Sequence, residues 1–166
     1  MTRVVLVPGV LALLPEYAGL ADPVAELRAA CLEAVAWLGD QGPVRILADP
    51  QGERVARSLL RAVGVSETVA AQPPPPTVVV GNGSACRSEK APGHLDDRAH
   101  AFDETLRAAL STGDVHGLDL GLGRELRASL DGIARLGEVL APGVEAQVDY
   151  DDDPYGVQYW VMRWES

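Results

Sequence analysis

The segment 81–97 (GNGSACRSEKAPGHLDD) brings together side chains that could bind or react with a ligand. Two of its glycines, Gly81 and Gly83, allow close approach of the backbone and a positive φ. The other candidates supply a hydroxyl, charges of both signs and an imidazole, on Ser84, Arg87, Glu89, Lys90 and His94. Lys90 is the single lysine among 14 basic residues. We therefore predict that this loop is the functional centre.

Three interpretations of the loop remain open. Backbone N–H groups together with Arg87 and Lys90 could bind a phosphate or a carboxylate. Alternatively, the loop is structural, and Arg87 and Glu89 pair with each other or with buried backbone. It could also form one wall of a pocket for a small organic molecule. GNGS is not a Walker loop, and it lacks the third glycine of a dinucleotide-binding fingerprint.

Cysteine chemistry is a further option at Cys86. The neighbouring Arg87 could lower the pKa of the thiol, as positive charge does, although no base is adjacent in the sequence. The other cysteine, Cys31, lies on the apolar face of a predicted helix and is expected to pack in the core. Two cysteines make neither a disulfide framework nor a zinc site, so the cytosol is the expected compartment.

The histidines and carboxylates give no metal-binding motif. His94 and His100 are not four residues apart on one helix face, and His116 lies in a polar loop, so a metal site would need acidic partners brought in by folding. Asp149 and residues 151–153 form an acidic cluster that does not follow the order of an EF-hand. A solvated turn is the favoured interpretation of that cluster.

Elements that would position the loop follow from apolar patterning. Strands are predicted at residues 3–8, 43–48, 77–80, 144–150 and 158–164, and helices at residues 23–39, 53–63, 98–110 and within 123–140. The first helix is expected to begin at an Asp22 cap and to bury Leu27, Ala30, Cys31, Ala34, Val35 and Leu38 on one stripe. Asp96 and Asp97 are expected to cap the third helix.

This element order predicts the fold class. Strands that alternate with helices indicate an α/β domain of three layers, a mainly parallel central sheet with helices on both faces and an antiparallel C-terminal strand pair. No composition shift marks a boundary, so residues 1–166 are expected to form one domain. In such sheets ligands bind beyond the carboxyl ends of the strands, which is where segment 81–97 falls.

Charge and hydropathy exclude several classes of partner. The formal net charge of −10 disfavours nucleic acid and anionic membrane surfaces. The apolar N-terminal stretch is interrupted by Pro8 and Gly9 and has no A-x-A site, so VVLV is better explained as a buried strand than as a signal peptide. The expected setting is therefore cytoplasmic, with a small molecule as a possible ligand.

Three motifs resemble the class III extradiol ring-cleavage dioxygenase superfamily, which includes the protocatechuate dioxygenase catalytic subunit and the Memo-like proteins. They are VVLVPGVLALLPE near the N-terminus, GNGSACRSEKAPGHLDDRAHAFD in the middle and DDDPYGVQYWVMRW near the end. The middle motif resembles a G-D-G-S-A-x-R-S-E-K-A-P-G-Y-L-D loop of one branch, in which His94 replaces a tyrosine. The resemblance implies an α/β fold and proteins that often self-associate, so a homodimer is possible.

The same resemblance implies non-haem Fe(II) held by two histidines and a carboxylate. Gly9 occupies the position of the first family histidine, and residues 48–54 contain no histidine for the second. We therefore expect no iron cofactor and no ring cleavage, with the pocket kept for a small molecule or a partner. The alternative is an enzyme using the same crevice, either a metal-dependent oxidoreductase or a hydrolase or transferase with an Arg87 or Lys90 anion clamp.

Overall fold

Five strands form one mixed sheet in the computed structural model, which describes residues 1–70 and 72–166. The strands are β1 (Arg3–Val7), β2 (Arg45–Leu47), β3 (Thr77–Val80), β4 (Gln147–Asp152) and β5 (Tyr159–Glu165). The order across the sheet is β2-β3-β1-β5-β4. β1 pairs in parallel with β3, and β3 with β2, whereas β5 runs antiparallel to both β1 and β4. The predicted fold class is confirmed.

Helices cover both faces of the sheet. α1 (Ala25–Gly39) and α2 (Pro50–Ala62) pack with Val5 and Val7 in one buried cluster. α3 (Ala99–Ser111), the short α4 (Leu120–Glu125) and a 3₁₀ turn at Ile133–Glu138 surround a second cluster that contains Val4 and Leu6. Successive β1 side chains therefore alternate between the two cores, as the period of a strand requires.

The N-terminal signals of the first two helices differ in their outcome. The predicted Asp22 cap of α1 is wrong, because the helix begins at Ala25 after Val24, which has no side-chain cap. Asp22 lies before the helix and accepts a hydrogen bond from the Val24 backbone N–H at 3.1 Å. Asp49 caps α2, because its Oδ1 accepts from the Gly52 N–H, and Pro50 occupies the first helical turn. The sequence analysis predicts that α2 starts at residue 53, which is after its observed start at Pro50, because it does not take this Asp-Pro signal into account. The stripe predicted for α1 is confirmed, since Leu27, Cys31, Ala34, Val35 and Leu38 are buried and Ala30 is half-buried.

The prediction of a fourth helix within residues 123–140 is wrong for most of that range. α4 ends at Glu125, and Arg127 then adopts a left-handed backbone with φ of 57°. The next residues run beside segment 81–97, where the backbone of Ser129 exchanges two hydrogen bonds with that of Asn82 at 3.1 Å each. Tertiary pairing with the loop therefore interrupts what looks helical in the sequence.

Candidate functional site

A crevice of about 280 Å³ lies at the carboxyl ends of the three parallel strands. Gly9 follows β1, Asp49 and Gln51 follow β2, and Asn82 follows β3, and all four line it. Other lining residues come from more distant parts of the chain, namely Val10, Pro92, Arg127, Ser129, Val157 and Tyr159. The three strand-end loops therefore meet at one cavity, hereafter called the crevice.

Close backbone packing fixes the floor of the crevice. The Gln51 amide donates from Nε2 to the Gly9 carbonyl at 2.8 Å, which joins the loop after β1 to the first turn of α2. Gly52 is required there, because a Cβ would lie 2.8 Å from Cγ1 of Val80 and 3.0 Å from Cβ of Ala48. At Gly9 a Cβ would lie 3.1 Å from the same Val80 methyl. Side chains larger than glycine are therefore disfavoured along this floor.

Two largely buried polar side chains line the crevice with unused hydrogen-bonding capacity. Asn82 is 9% exposed and donates from its amide to the Gly83 carbonyl at 3.1 Å, while its Oδ1 has no donor among the described residues. Tyr159 is 4% exposed, and its hydroxyl likewise has no partner in residues 1–70 and 72–166, although it keeps some contact with solvent. Burial raises the pKa of Tyr159 to about 12, so its phenol is neutral at physiological pH.

Arg127 supplies the positive charge of the crevice, and sequence analysis missed it. Its φ of 57° is unusual for a residue with a side chain. The guanidinium donates from Nη1 to the Pro92 carbonyl at 3.2 Å, and the side chain passes close to Gly93, where a Cβ would lie 3.3 Å from Cδ of Arg127. The conformation of Arg127 depends on pairing between distant segments, so no local signal in the sequence could have revealed it.

The opposite side of segment 81–97 carries a second polar group, hereafter called the brace, formed by Ser84, Arg87, Asp103 and Asp153. Asp103 is 2% exposed and accepts from the Ser84 N–H at 2.7 Å, the Ser84 hydroxyl at 2.7 Å and Nη1 of Arg87 at 2.9 Å. Nε of Arg87 donates to Asp153 at 2.7 Å. Burial opposes the charge of Arg87, but its hydrogen bonds to Asp153 and Asp103 outweigh this and raise its pKa. The brace thus fastens the loop to α3 and to the β4–β5 connection.

The five predicted site residues do not line the crevice. Ser84 and Arg87 lie in the brace, where their polar groups are satisfied by carboxylates. Glu89 and Lys90 are exposed at the tip of the loop. His94 is also exposed, with φ of 60° and Nδ1 3.5 Å from the Glu89 carbonyl oxygen. Of the interpretations offered for Arg87, pairing matches its contacts, although the partners are Asp103 and Asp153 rather than Glu89.

Neither cysteine has the surroundings of an activated thiolate. Cys86 is buried, its Sγ lies 3.4 Å from the Leu126 carbonyl oxygen, and burial followed by the nearby Asp96 raises its pKa. Burial also raises the pKa of Cys31 strongly. Both thiols are therefore protonated at neutral pH, and a protonated thiol is a poor nucleophile.

The acidic cluster near the C-terminus consists mostly of ion-paired residues rather than a solvated turn. Asp149 pairs with Arg163 at 2.6 Å, Asp151 with Arg107 at 2.7 Å, and Asp153 with Arg87 at 2.7 Å. β4 extends to Asp152, two residues beyond the predicted end of that strand. The arginine partners come from β5, α3 and segment 81–97, so their arrangement is a tertiary feature.

The donor set of the crevice does not fit the Fe(II) that the resemblance implies. Asp49 is a carboxylate, but the positions that the resemblance gives to two histidines are occupied by Gly9 and by residues without imidazoles. In the part of the chain that the structure describes, no three His, Cys, Asp or Glu side chains come together closely enough to hold a metal ion.

Comparisons with known proteins add no assignment. The sequence matches no model of a known protein family, and it matches none of the curated proteins. No helix in residues 1–70 and 72–166 is long and apolar enough to cross a membrane. The fold and the crevice thus define an α/β protein with a small polar cavity at a parallel strand edge.

Proposed function

We propose that this protein binds a small molecule in the crevice and does not cleave aromatic rings. The observation that carries the proposal is the convergence of Gly9, Asp49, Gln51 and Asn82, from three strand-end loops, on one polar cavity. This edge of a parallel sheet is where α/β proteins place their ligands. The brace supports the same proposal, because it fixes a loop that also contributes Asn82 and Pro92 to the crevice.

We further propose that the protein descends from the extradiol dioxygenase-like lineage and has lost its metal. The support is the placement of Gly9: the position that the resemblance gives to an iron-binding histidine does face the crevice. A histidine at that position would crowd Val80, whose Cγ1 would lie 3.1 Å from the new Cβ. The proposed loss of histidine at position 9 is thus consistent with the close packing of Gly9 against Val80.

Metal analysis tests the absence of ring cleavage. The protein is incubated anaerobically with Fe(II), desalted and analysed for bound iron, and then assayed in air with catechol and with protocatechuate. We expect less than about 0.1 iron per chain and no ring-opened product, because the crevice lacks imidazole ligands. Stoichiometric iron together with turnover of either catechol would refute the proposal.

Amide chemical shifts test whether the crevice binds ligands at all. The ¹⁵N-labelled protein is titrated with a set of small neutral, cationic and anionic organic molecules. We expect the amides of Gly9, Gln51 and Asn82 to shift with at least one of them, while amides of the distant α1 surface stay in place. If no molecule of any charge moves the crevice amides, the binding function is wrong.

We also propose that the protein works in the cytosol. Cys31 and Cys86 are both unpaired and buried, on opposite faces of the sheet. Free thiols of this kind are usual where glutathione and thioredoxin keep cysteines reduced.

A further inference from the structure

Arg127 differs from most of the arginines because no carboxylate in the described residues neutralises its charge. Ten of the 13 arginines form ion pairs with carboxylates, and in the described residues Arg61, Arg124 and Arg127 do not. Arg127 alone of these three lines the crevice. Arg127 is exposed to solvent where it lines the crevice. In a chain with a net charge of −10, such an unpaired guanidinium is a local site for an anion.

The position of Arg127 is held against a cost in backbone energy. A left-handed conformation is less favourable than the right-handed region for an L-residue with a side chain. Pairing of the neighbouring residues with segment 81–97 maintains it: Leu126 accepts from the Ala85 N–H at 2.9 Å, and Ser129 bonds with Asn82. Within the described residues the guanidinium makes one hydrogen bond, to the Pro92 carbonyl, so most of its five N–H donors remain available.

Asp49 contributes the opposite charge to the same crevice. Its Oδ1 accepts the Gly52 N–H at 2.6 Å as the cap of α2, and its Oδ2 has no donor among the residues described. Asp49 and Arg127 do not pair with each other. The charges of Asp49 and Arg127 cancel within the crevice. A dianion would therefore be repelled by Asp49, and an uncharged ligand would leave the Arg127 guanidinium without an ionic partner.

Two uncharged groups complete the recognition surface. Asn82 and Tyr159 are each at least nine-tenths buried, and each has an oxygen that forms no hydrogen bond within residues 1–70 and 72–166 and keeps some contact with solvent. The volume of about 280 Å³ lies just below the ~300–1,000 Å³ of ordinary ligand pockets, so the ligand is small. Within this space the ligand must pair with the Arg127 cation and the Asp49 anion, and it must form hydrogen bonds with Asn82 and Tyr159.

We infer that the crevice binds a small amino or hydroxy acid, with the carboxylate on Arg127 and the amino or hydroxyl group directed to Asp49. This inference rests on the proposed binding function. It names the ligand class and adds Arg127 as the residue that selects for the carboxylate. Asn82 and Tyr159 would then hydrogen-bond the part of the ligand between its two ends.

The test is an amide NMR titration with five defined probes: glycine, glycolate, acetate, glycinamide and inorganic phosphate. We expect glycine or glycolate to bind most tightly and to move the amides of Gly9, Asn82 and Arg127. Acetate lacks the second polar group and glycinamide lacks the carboxylate, so each should bind at least about fivefold more weakly. In a titration at about pH 8, where inorganic phosphate is mainly a dianion, phosphate should bind more weakly than glycolate because Asp49 repels it.

Matched arginine variants connect the binding to Arg127. Arg127→Met keeps the length of the side chain and removes its charge, and should raise the dissociation constant for the best probe at least tenfold. Arg124→Met removes another unpaired arginine three residues away, beside Asp131 in a different depression, and should leave it unchanged. Amide spectra of both variants are compared first, so that a loss of folding is recognised.

The outcomes separate this inference from the proposed function. Equal affinities of the Arg127→Met and Arg124→Met variants would overturn the role of Arg127 while leaving binding in the crevice intact. Tighter binding of glycinamide or phosphate than of glycine and glycolate would overturn the ligand class. Failure of all five probes and of the wider set of small molecules to move any crevice amide would overturn both proposals.

Discussion

The brace and the crevice are built on the same loop, and they differ in how their polar groups are satisfied. In the brace, Asp103 accepts three hydrogen bonds and Arg87 lies between two carboxylates. In the crevice, Arg127 has no ion-pair partner among the described residues. The Tyr159 hydroxyl forms no hydrogen bond with any of them. Satisfied groups stabilise the fold, and unsatisfied groups facing a cavity remain available to a ligand.

Replacing Asp103 should produce the largest loss of stability. Asp103→Ala leaves the Ser84 N–H and hydroxyl without their acceptor and removes one of the two partners of Arg87. We expect the free energy of unfolding in urea to fall by about 3 kcal/mol, the lower end for breaking a buried ion pair, since Asp153 still holds Arg87. The control Glu16→Ala breaks an exposed pair with Arg54 and should cost less than about 1 kcal/mol. Similar losses for the two variants would show that the brace does not stabilise the loop.

Hydroxyl deletions compare the two regions directly. Ser84→Ala removes a buried hydrogen bond to the Asp103 carboxylate and should lower the free energy of unfolding by about 1.5 kcal/mol at neutral pH. Tyr159→Phe removes a hydroxyl without a protein partner in the described chain and should change stability by less than about 0.5 kcal/mol. Urea unfolding of both variants gives the difference. A larger loss for Tyr159→Phe than for Ser84→Ala would reverse the distinction between brace and crevice.

Alkaline pH should weaken the protein through Tyr159. The folded state has a pKa of about 12 for this phenol, because of burial, against about 10 in the unfolded chain. Stability from the neutral phenol is therefore complete below about pH 10 and is lost as pH rises to about 12, by up to about 1.4 kcal/mol per pH unit. Urea unfolding at about pH 9 and 11 should show a steeper decline for the native protein than for Tyr159→Phe. Burial of Cys31 also opposes ionisation of its thiol, but this contribution is the same in the native protein and in Tyr159→Phe. If the free energy of unfolding falls equally in both proteins, Tyr159 is not the source of the pH dependence.

Glycine substitutions at two nearby arginines should give small effects of opposite sign. Arg127→Gly relieves a left-handed backbone and should raise the free energy of unfolding by about 0.5–1 kcal/mol, even as binding in the crevice is lost. Arg124→Gly places glycine within α4 and should lower it by about 0.5 kcal/mol. Thermal and urea unfolding measure both changes. Destabilisation by Arg127→Gly as large as that by Arg124→Gly would argue against backbone strain at Arg127.

Part of the brace could be predicted from periodicity. Asp103 falls on the same stripe of α3 as Ala99 and Leu106, all of them buried, so a carboxylate on an apolar face was the signal that a buried partner must exist. The sequence did not identify that partner, because Ser84 is 19 residues away and its contact depends on the path of the loop. The prediction that Asp96 and Asp97 cap α3 is wrong, because the residue before the helix is Arg98 and no side chain caps its first turn. The Asp96 carboxylate accepts the Arg98 N–H at 2.9 Å, outside the helix.

The sequence alone determined the strands, the main helices and the order in which they alternate. These depend on patterns within a few residues, such as the apolar run of β3, the stripe of α1 and the glycines that end helices. Because parallel strands present their carboxyl ends at one edge, the sequence also determined where a ligand site could lie. The sequence thus predicts that segment 81–97 lies at this edge, and the structure adds Gly9, Asp49 and Gln51 beside it.

Only the tertiary structure decided which side chains face the cavity. Segment 81–97 has two sides, and its contacts with Asp103 and Asp153 turned the conspicuous Ser84 and Arg87 into a brace. Its pairing with residues 126–129 broke a predicted helix and placed Arg127 at the crevice with a positive φ. Both outcomes come from contacts between residues far apart in the chain, and no local propensity encodes the direction in which a loop presents its side chains.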